Sequence, residues 1–127
     1  MRLLLDSHTA LWALQEDERL GRRSTSMLVD PGHQVFFSAV TPWELNIKRA
    51  SGKLDVPEAM GATLVADGFT ELAITSDHAE RAAALPLHHR DPFDRMLIAQ
   101  AQLERLTIIT VDRVFAHYDV DLIDASI

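Results

Sequence analysis

Three consecutive leucines closed by an acid, RLLLD at residues 2–6, constrain this chain more than any other feature. A strand with one face in water alternates apolar and polar residues, because successive side chains point to opposite faces. An unbroken apolar run instead fits a strand covered on both faces, as in a parallel sheet between helical layers. TIITV at 107–111 repeats the pattern and is again followed by an acid, Asp112.

The rest of the chain alternates in the same sense. SHTALWALQED (7–17) predicts a helix with Leu11, Trp12 and Leu14 inward. A second helix covers about 21–29 and is stopped by Asp30-Pro31-Gly32. QVFFSAV (34–40) is rich in strand formers, and TPWELNIKRASGKL (41–54) is helical with Gly52 near its end. PEAMGATLVADGF (57–69) predicts a helix closed by Gly68, ELAIT (71–75) a strand, and SDHAERAAALP (76–86) a helix ended by Pro86. A helix over 92–105, a short one over 113–117 and a last strand VDLID (120–124) complete the pattern. Strands alternating with helices predict an α/β three-layer sandwich, with a mainly parallel sheet of about five strands flanked by helices. A length of 127 residues gives one domain, 1–127.

Composition removes several classes of function. No apolar run is long enough to span a membrane, and Asp6 interrupts the only N-terminal stretch that a signal peptide would use. The absence of Cys excludes disulfides and thiolate metal sites, which is compatible with a cytoplasmic protein. A net charge of −7 argues mildly against a nucleic-acid partner. The charge is uneven, however. Residues 19–53 hold six Lys/Arg (Arg19, Arg22, Arg23, Lys48, Arg49, Lys53) against two acids, Asp30 and Glu44. They offer either a local basic patch or a solvated helix surface.

Four acids share one logic. Asp6 and Asp112 end apolar strands, so both belong at the carboxyl edge of the sheet, where sites form in such folds. TPWE (41–44) and DPFD (91–94) share a construction: a capping residue, proline, an aromatic, then an acid. Each predicts a carboxylate in the first turn of a helix. Asp91 with Pro92 reads as the N-cap. Asp94 lies on the same helical side as Leu97, Ile98 and Ala101, opposite Arg95 and Gln102. A cap needs no apolar neighbours, and an acid on that side wants a partner. Glu44 lies at the margin of a stripe with Trp43, Ile47 and Ala50. Its plainer reading is a capping box with Thr41 and an i,i+4 pair with Lys48.

Converging, these carboxylates would repel one another. Two of them ~4 Å apart cost about 4 kcal/mol at an effective dielectric of 20. Either some of them stay protonated or a divalent cation binds them, and an all-oxygen ligand set suits Mg2+ or Mn2+. Such ions polarise a phosphate, activate water and stabilise a leaving oxygen, which points to phosphodiester or phosphoryl chemistry.

At these residues the sequence resembles a known family. LLLDSHTALW, WELNIKRASGKL, HHRDPFDRMLIAQA and IITVD look like a PIN-domain protein and, more narrowly, a VapC-type toxin of a bacterial toxin–antitoxin pair. DPFDR followed by LIAQA is the most specific of the four motifs, which together span nearly the whole chain. The resemblance implies a PIN-like fold and a Mg2+- or Mn2+-dependent endoribonuclease. It also implies a homodimer, and a small antitoxin whose tail covers the active-site groove. By position, Asp6, Glu44, Asp94 and Asp112 match the family's four metal-binding catalytic acids, and Asp91 remains the cap.

Other residues carry weaker signals. Thr110 shares its strand side with Asp112 and is placed to hydrogen-bond a ligating carboxylate. Lys48, Arg49 and Lys53, on the helix bearing Glu44, are the candidates for RNA phosphate. His88 and His89 read as solvated loop residues, His8 as a core or capping residue, and Trp12 and Trp43 as core anchors. Two alternatives stand beside the nuclease. One is a metal-dependent phosphohydrolase of small substrates, although an aspartyl-phosphate route fails because Asp6 is followed by Ser7 and His8. The other is a non-catalytic interaction domain whose acids only cap helices.

Overall fold

The computed structural model describes residues 1–127. Five strands form one sheet: β1 Arg2–Leu5, β2 Gln34–Ser38, β3 Thr70–Leu72, β4 Thr107–Thr110 and β5 Leu122–Asp124. Their order is β3-β2-β1-β4-β5, and every neighbouring pair is parallel. The helices are α1 Ser7–Gln15, α2 Arg22–Val29, α3 Val40–Ala50, α4 Met60–Ala66, α5 Ser76–Ala84 and α6 Pro92–Glu104, with a 3-10 turn at Arg113–His117. None is long and apolar enough to cross a membrane.

The triple leucine sits where its composition requires. Leu3, Leu4 and Leu5 are fully buried in the central strand. Leu3 and Leu5 join Val35, Phe37 and Ile109 under α1, α3 and α4, against Leu11, Trp12, Leu45, Met60 and Leu64. Leu4 joins Phe36 and Ile108 on the other face, against Leu97, Ile98 and Ala101 of α6. One strand thus feeds two cores, and each buried leucine contributes about 1.5–3 kcal/mol over an exposed one.

The strand order fixes where a site can form. The chain steps from β1 outward through β2 and β3, then returns to lay β4 on the other side of β1. At that reversal the connections leave the sheet on opposite faces, and a crevice opens beyond the carboxyl ends of β1 and β4.

Several expectations need correction. β3 ends at Leu72 instead of running through ELAIT, because its only partner ladder ends at Ser38. α4 begins at Met60, three residues after Pro57, because Ala59 takes a left-handed backbone with φ 50°. The parallel between TPWE and DPFD fails in register. α3 starts at Val40, Thr41 is not its cap, and the first N–H is taken by the Ser38 hydroxyl at 3.1 Å. Pro42 is tolerated there because N–H groups of a first turn have no helical partner. The buried face of α3 is Val40, Thr41, Glu44 and Leu45, so Trp43, Ile47 and Ala50 face solvent. Trp43 is 62% exposed and is no core anchor. Lys53 lies past the end of α3, beyond the turn at Gly52 (φ 77°).

Candidate active site

All four predicted acids line one cleft of about 410 Å3 at the sheet reversal, with Ser7, His8, Lys48, His89 and Asp91 among its other walls. Each arrives on a different element.

Asp6 follows β1 and is buried. Its Oδ1 accepts the Thr9 N–H at 2.8 Å and so caps α1, while its Oδ2 accepts the Thr110 hydroxyl at 2.6 Å. Burial pushes its carboxyl above the ordinary value, and the bonds from Thr110 and Thr9 oppose that rise. Thr110 also accepts the Asp112 N–H at 3.0 Å, so one hydroxyl ties the ends of β1 and β4 together. Asp112 is exposed and caps the 3-10 turn through Val114 N–H at 3.0 Å.

Glu44 is 3% exposed, on the face of α3 that meets α1. The Ser7 hydroxyl donates to its Oε1 at 2.6 Å, and the Lys48 ammonium reaches its Oε2 at 2.7 Å. The expected i,i+4 pair is present. Thr41, instead of boxing the helix start, shares a hydrogen bond with Ser7 at 3.1 Å.

Asp91 and Asp94 separate as their positions suggest. Asp91 caps α6, its Oδ1 accepting Phe93 N–H at 2.8 Å and Asp94 N–H at 3.4 Å. Asp94 caps nothing. Its Oδ2 meets His89 Nε2 at 2.7 Å. Burial pushes its carboxyl up to about 6; the nearby Asp91 and Glu44 charges add to the rise and the His89 bond opposes it. Trp43 packs edge-on against Phe93 with ring centres 5.1 Å apart, which holds α3 and α6 side by side and sets Glu44 near Asp94.

Three residues depart from their sequence reading. His89 is half-buried on Asp94 instead of solvated; His88 stacks beside His117 and Tyr118. The histidine doublet before the motif is the only signal of this. Which of the two faces the cleft depends on the Tyr118 hydroxyl, which takes the His89 N–H at 2.9 Å from a distant part of the chain. His8 is exposed on the cleft wall, neither core nor cap. Arg95 is not on a polar face. It is 8% exposed and donates to the carbonyls of Ala82, Ala83, Leu85, Pro86 and His89. Of the basic candidates, Lys48 is engaged with Glu44 and Arg49 meets Glu58 at 3.2 Å, while Lys53 is exposed.

Five carboxylates thus face one ammonium across a cleft at the switch point of a parallel sheet. Residues 3–121 match the PIN domain, and the chain belongs to that family. It is 29% identical over 114 residues to Ribonuclease VapC22 of Mycobacterium tuberculosis (strain ATCC 25618 / H37Rv), covering 87% of each chain. Its fold superposes on that of VapBC2 from Rickettsia felis bound to a DNA fragment from the promoter, with a TM-score of 0.71, 13% identity and 97% and 98% of the two chains covered. A toxin–antitoxin complex from Klebsiella pneumoniae gives a TM-score of 0.63 at 20% identity, covering 97% of each chain.

Proposed function

We propose that this protein is a Mg2+- or Mn2+-dependent endoribonuclease, the toxin of a type II toxin–antitoxin pair, acting as a homodimer and held in check by a small antitoxin. The observation that carries this reading is the cleft itself. Helix capping accounts for Asp6, Asp91 and Asp112, but not for Glu44 or Asp94, which lie half to fully buried on the same wall without capping anything. A non-catalytic domain has no use for buried acids that raise each other's energy. The relative named as a ribonuclease, and the likeness to toxin–antitoxin complexes, support the substrate and the partner.

The donor set fits a hard divalent ion: carboxylate oxygens from four elements, with only Lys48 to offset them. Asp6, Glu44, Asp94 and Asp112 would hold it. When bound, it supplies Lewis-acid stabilisation of the scissile phosphate and its leaving oxygen. The chain's own residues do the remaining work. Thr110 and Ser7 orient Asp6 and Glu44 by hydroxyl hydrogen bonds, so little reorganisation is needed when cation and phosphate arrive. Lys48 offsets the charge of Glu44, and Lys53 with Arg49 at the end of α3 supplies contacts for RNA phosphates.

The test is cleavage of a defined RNA by purified protein with Mg2+, with Mn2+ and with EDTA, wild type beside Asp94→Asn. Cation-dependent cleavage by the wild type alone is the expected result. RNA left intact by the wild type with both ions would overturn the proposal.

A further inference from the structure

The two ends of the cleft differ in chemistry. His8 lines the end near Asp6, but only at the α6 end do an imidazole and two carboxylates group closely. Donor atoms of His89, Asp91 and Asp94 all lie within 4.8 Å of one another, and His89 Nε2 is 2.7 Å from Asp94 Oδ2. First-row ions bind such donors at about 2.1 Å, which places two ligands about 3 Å apart when adjacent and about 4 Å when opposed. The three donors are thus close enough for small side-chain shifts to bring them onto one ion, with His89 and Asp94 meeting at hydrogen-bond distance in its absence. Asp91 uses only Oδ1 for its cap, so Oδ2 is free to ligate.

The histidine is also held in place. Tyr118 takes its N–H, Arg95 takes its carbonyl at 3.1 Å, and Arg95 and Tyr118 both bond the carbonyl of Pro86 at the start of the loop. A ligand so fixed loses little freedom on binding a cation.

We propose that His89, Asp91 and Asp94 form a mixed nitrogen–oxygen site at the α6 end of the cleft that takes a transition ion such as Mn2+ in preference to Mg2+. Imidazole suits first-row transition ions, while Mg2+ prefers oxygen and keeps its waters. The inference rests on reading the cleft as a cation site, but not on what the enzyme cleaves.

Mn2+ alone is the probe. Electron spin-echo spectra of the full chain with Mn2+ report directly whether nitrogen is bound to the ion. Wild type, His8→Asn and His88→Asn are expected to show 14N coupling, and His89→Asn to lose it. The preference for Mn2+ over Mg2+, from competition titration, should fall at least about tenfold in His89→Asn. No 14N coupling in the wild type overturns the proposal whatever the variant does. So does coupling that survives His89→Asn or disappears with His8→Asn. The wild-type spectrum is decisive even where a variant folds poorly. Failure to cleave RNA would leave a positive spectrum standing, so this inference and the ribonuclease reading fail separately.

Discussion

Asp94 and Asp6 are both acids in a closed space, yet they are stabilised differently. Asp6 accepts two hydrogen bonds from fixed donors, while Asp94 has His89 alone. In metal-free protein the raised Asp94 carboxyl works against folding. With its folded value at about 6 and an ordinary value of 3.8, the native state holds more protons between those limits. Stability from this group is therefore full below about 4, falls as pH rises through that window, and stays low above about 6. Asp94→Asn in EDTA should melt higher than the wild type at pH 7.5, with the gap closing as pH drops toward 4. Melting curves across that range check it, and a gap that widens in acid would contradict the assignment. The same variant should reduce RNA cleavage to background. Thr110→Val removes a hydroxyl that serves both Asp6 and Asp112. It should cost about 1 kcal/mol of stability and about tenfold in cation affinity, read by melting and by titration calorimetry.

At the scale of elements, Arg95 joins two helices that the sequence treats as separate. α5 ends at Ala84, leaving its last carbonyls without helical partners. The guanidinium of Arg95, one turn into α6, satisfies Ala82, Ala83 and Leu85, and its charge lies at the negative end of the α5 dipole. Arg95→Met should destabilise by about 3–5 kcal/mol, because it strands buried carbonyls. Arg95→Lys should recover only part of that, since an ammonium cannot fork to so many acceptors. Equal melting of all three proteins would refute the clamp. This residue also marks the limit of pattern reading. The central strands, the helix order and the α6 cap were legible because each is written in local spacing: the leucine run, Pro92 after Asp91, Gly68 after α4. Asp6, Glu44, Asp94 and Asp112 were legible as facing one cleft because strand ends and helix starts meet at a sheet edge, although Glu44 sits beyond the first turn of α3. Arg95 and His89 were not. A helical wheel puts Arg95 opposite the apolar stripe, and only the docking of α5 turns that side inward. Trp43 misleads for the same reason. Its helix begins two residues earlier than its proline suggests, and the whole buried face rotates with it.

For the molecule as a whole, the proposed RNA substrate sets a net charge of −7 against a polyanion. The cleft concentrates part of that charge, so a bound cation relieves it where phosphate must approach. Elsewhere, contact falls to cations not already engaged. Lys48 is committed to Glu44, so it should contribute little to RNA affinity beyond fixing that side chain. Lys53 is exposed past the end of α3, and Arg49 shares only a surface pair with Glu58, which is 86% exposed. Such a pair is worth little in water and yields readily to a phosphate. Binding of single-stranded RNA to the Asp94→Asn protein, measured against salt, separates these roles. Each phosphate contact contributes about 0.7 to the slope of log affinity on log salt for single strands. Lys53→Ser should therefore lower the slope by about 0.7, and Glu58→Gln, by freeing Arg49, should raise affinity at low salt without lowering the slope. If neither change moves the titration, RNA enters by a different face, and the basic excess of residues 19–53 is only a solvated surface.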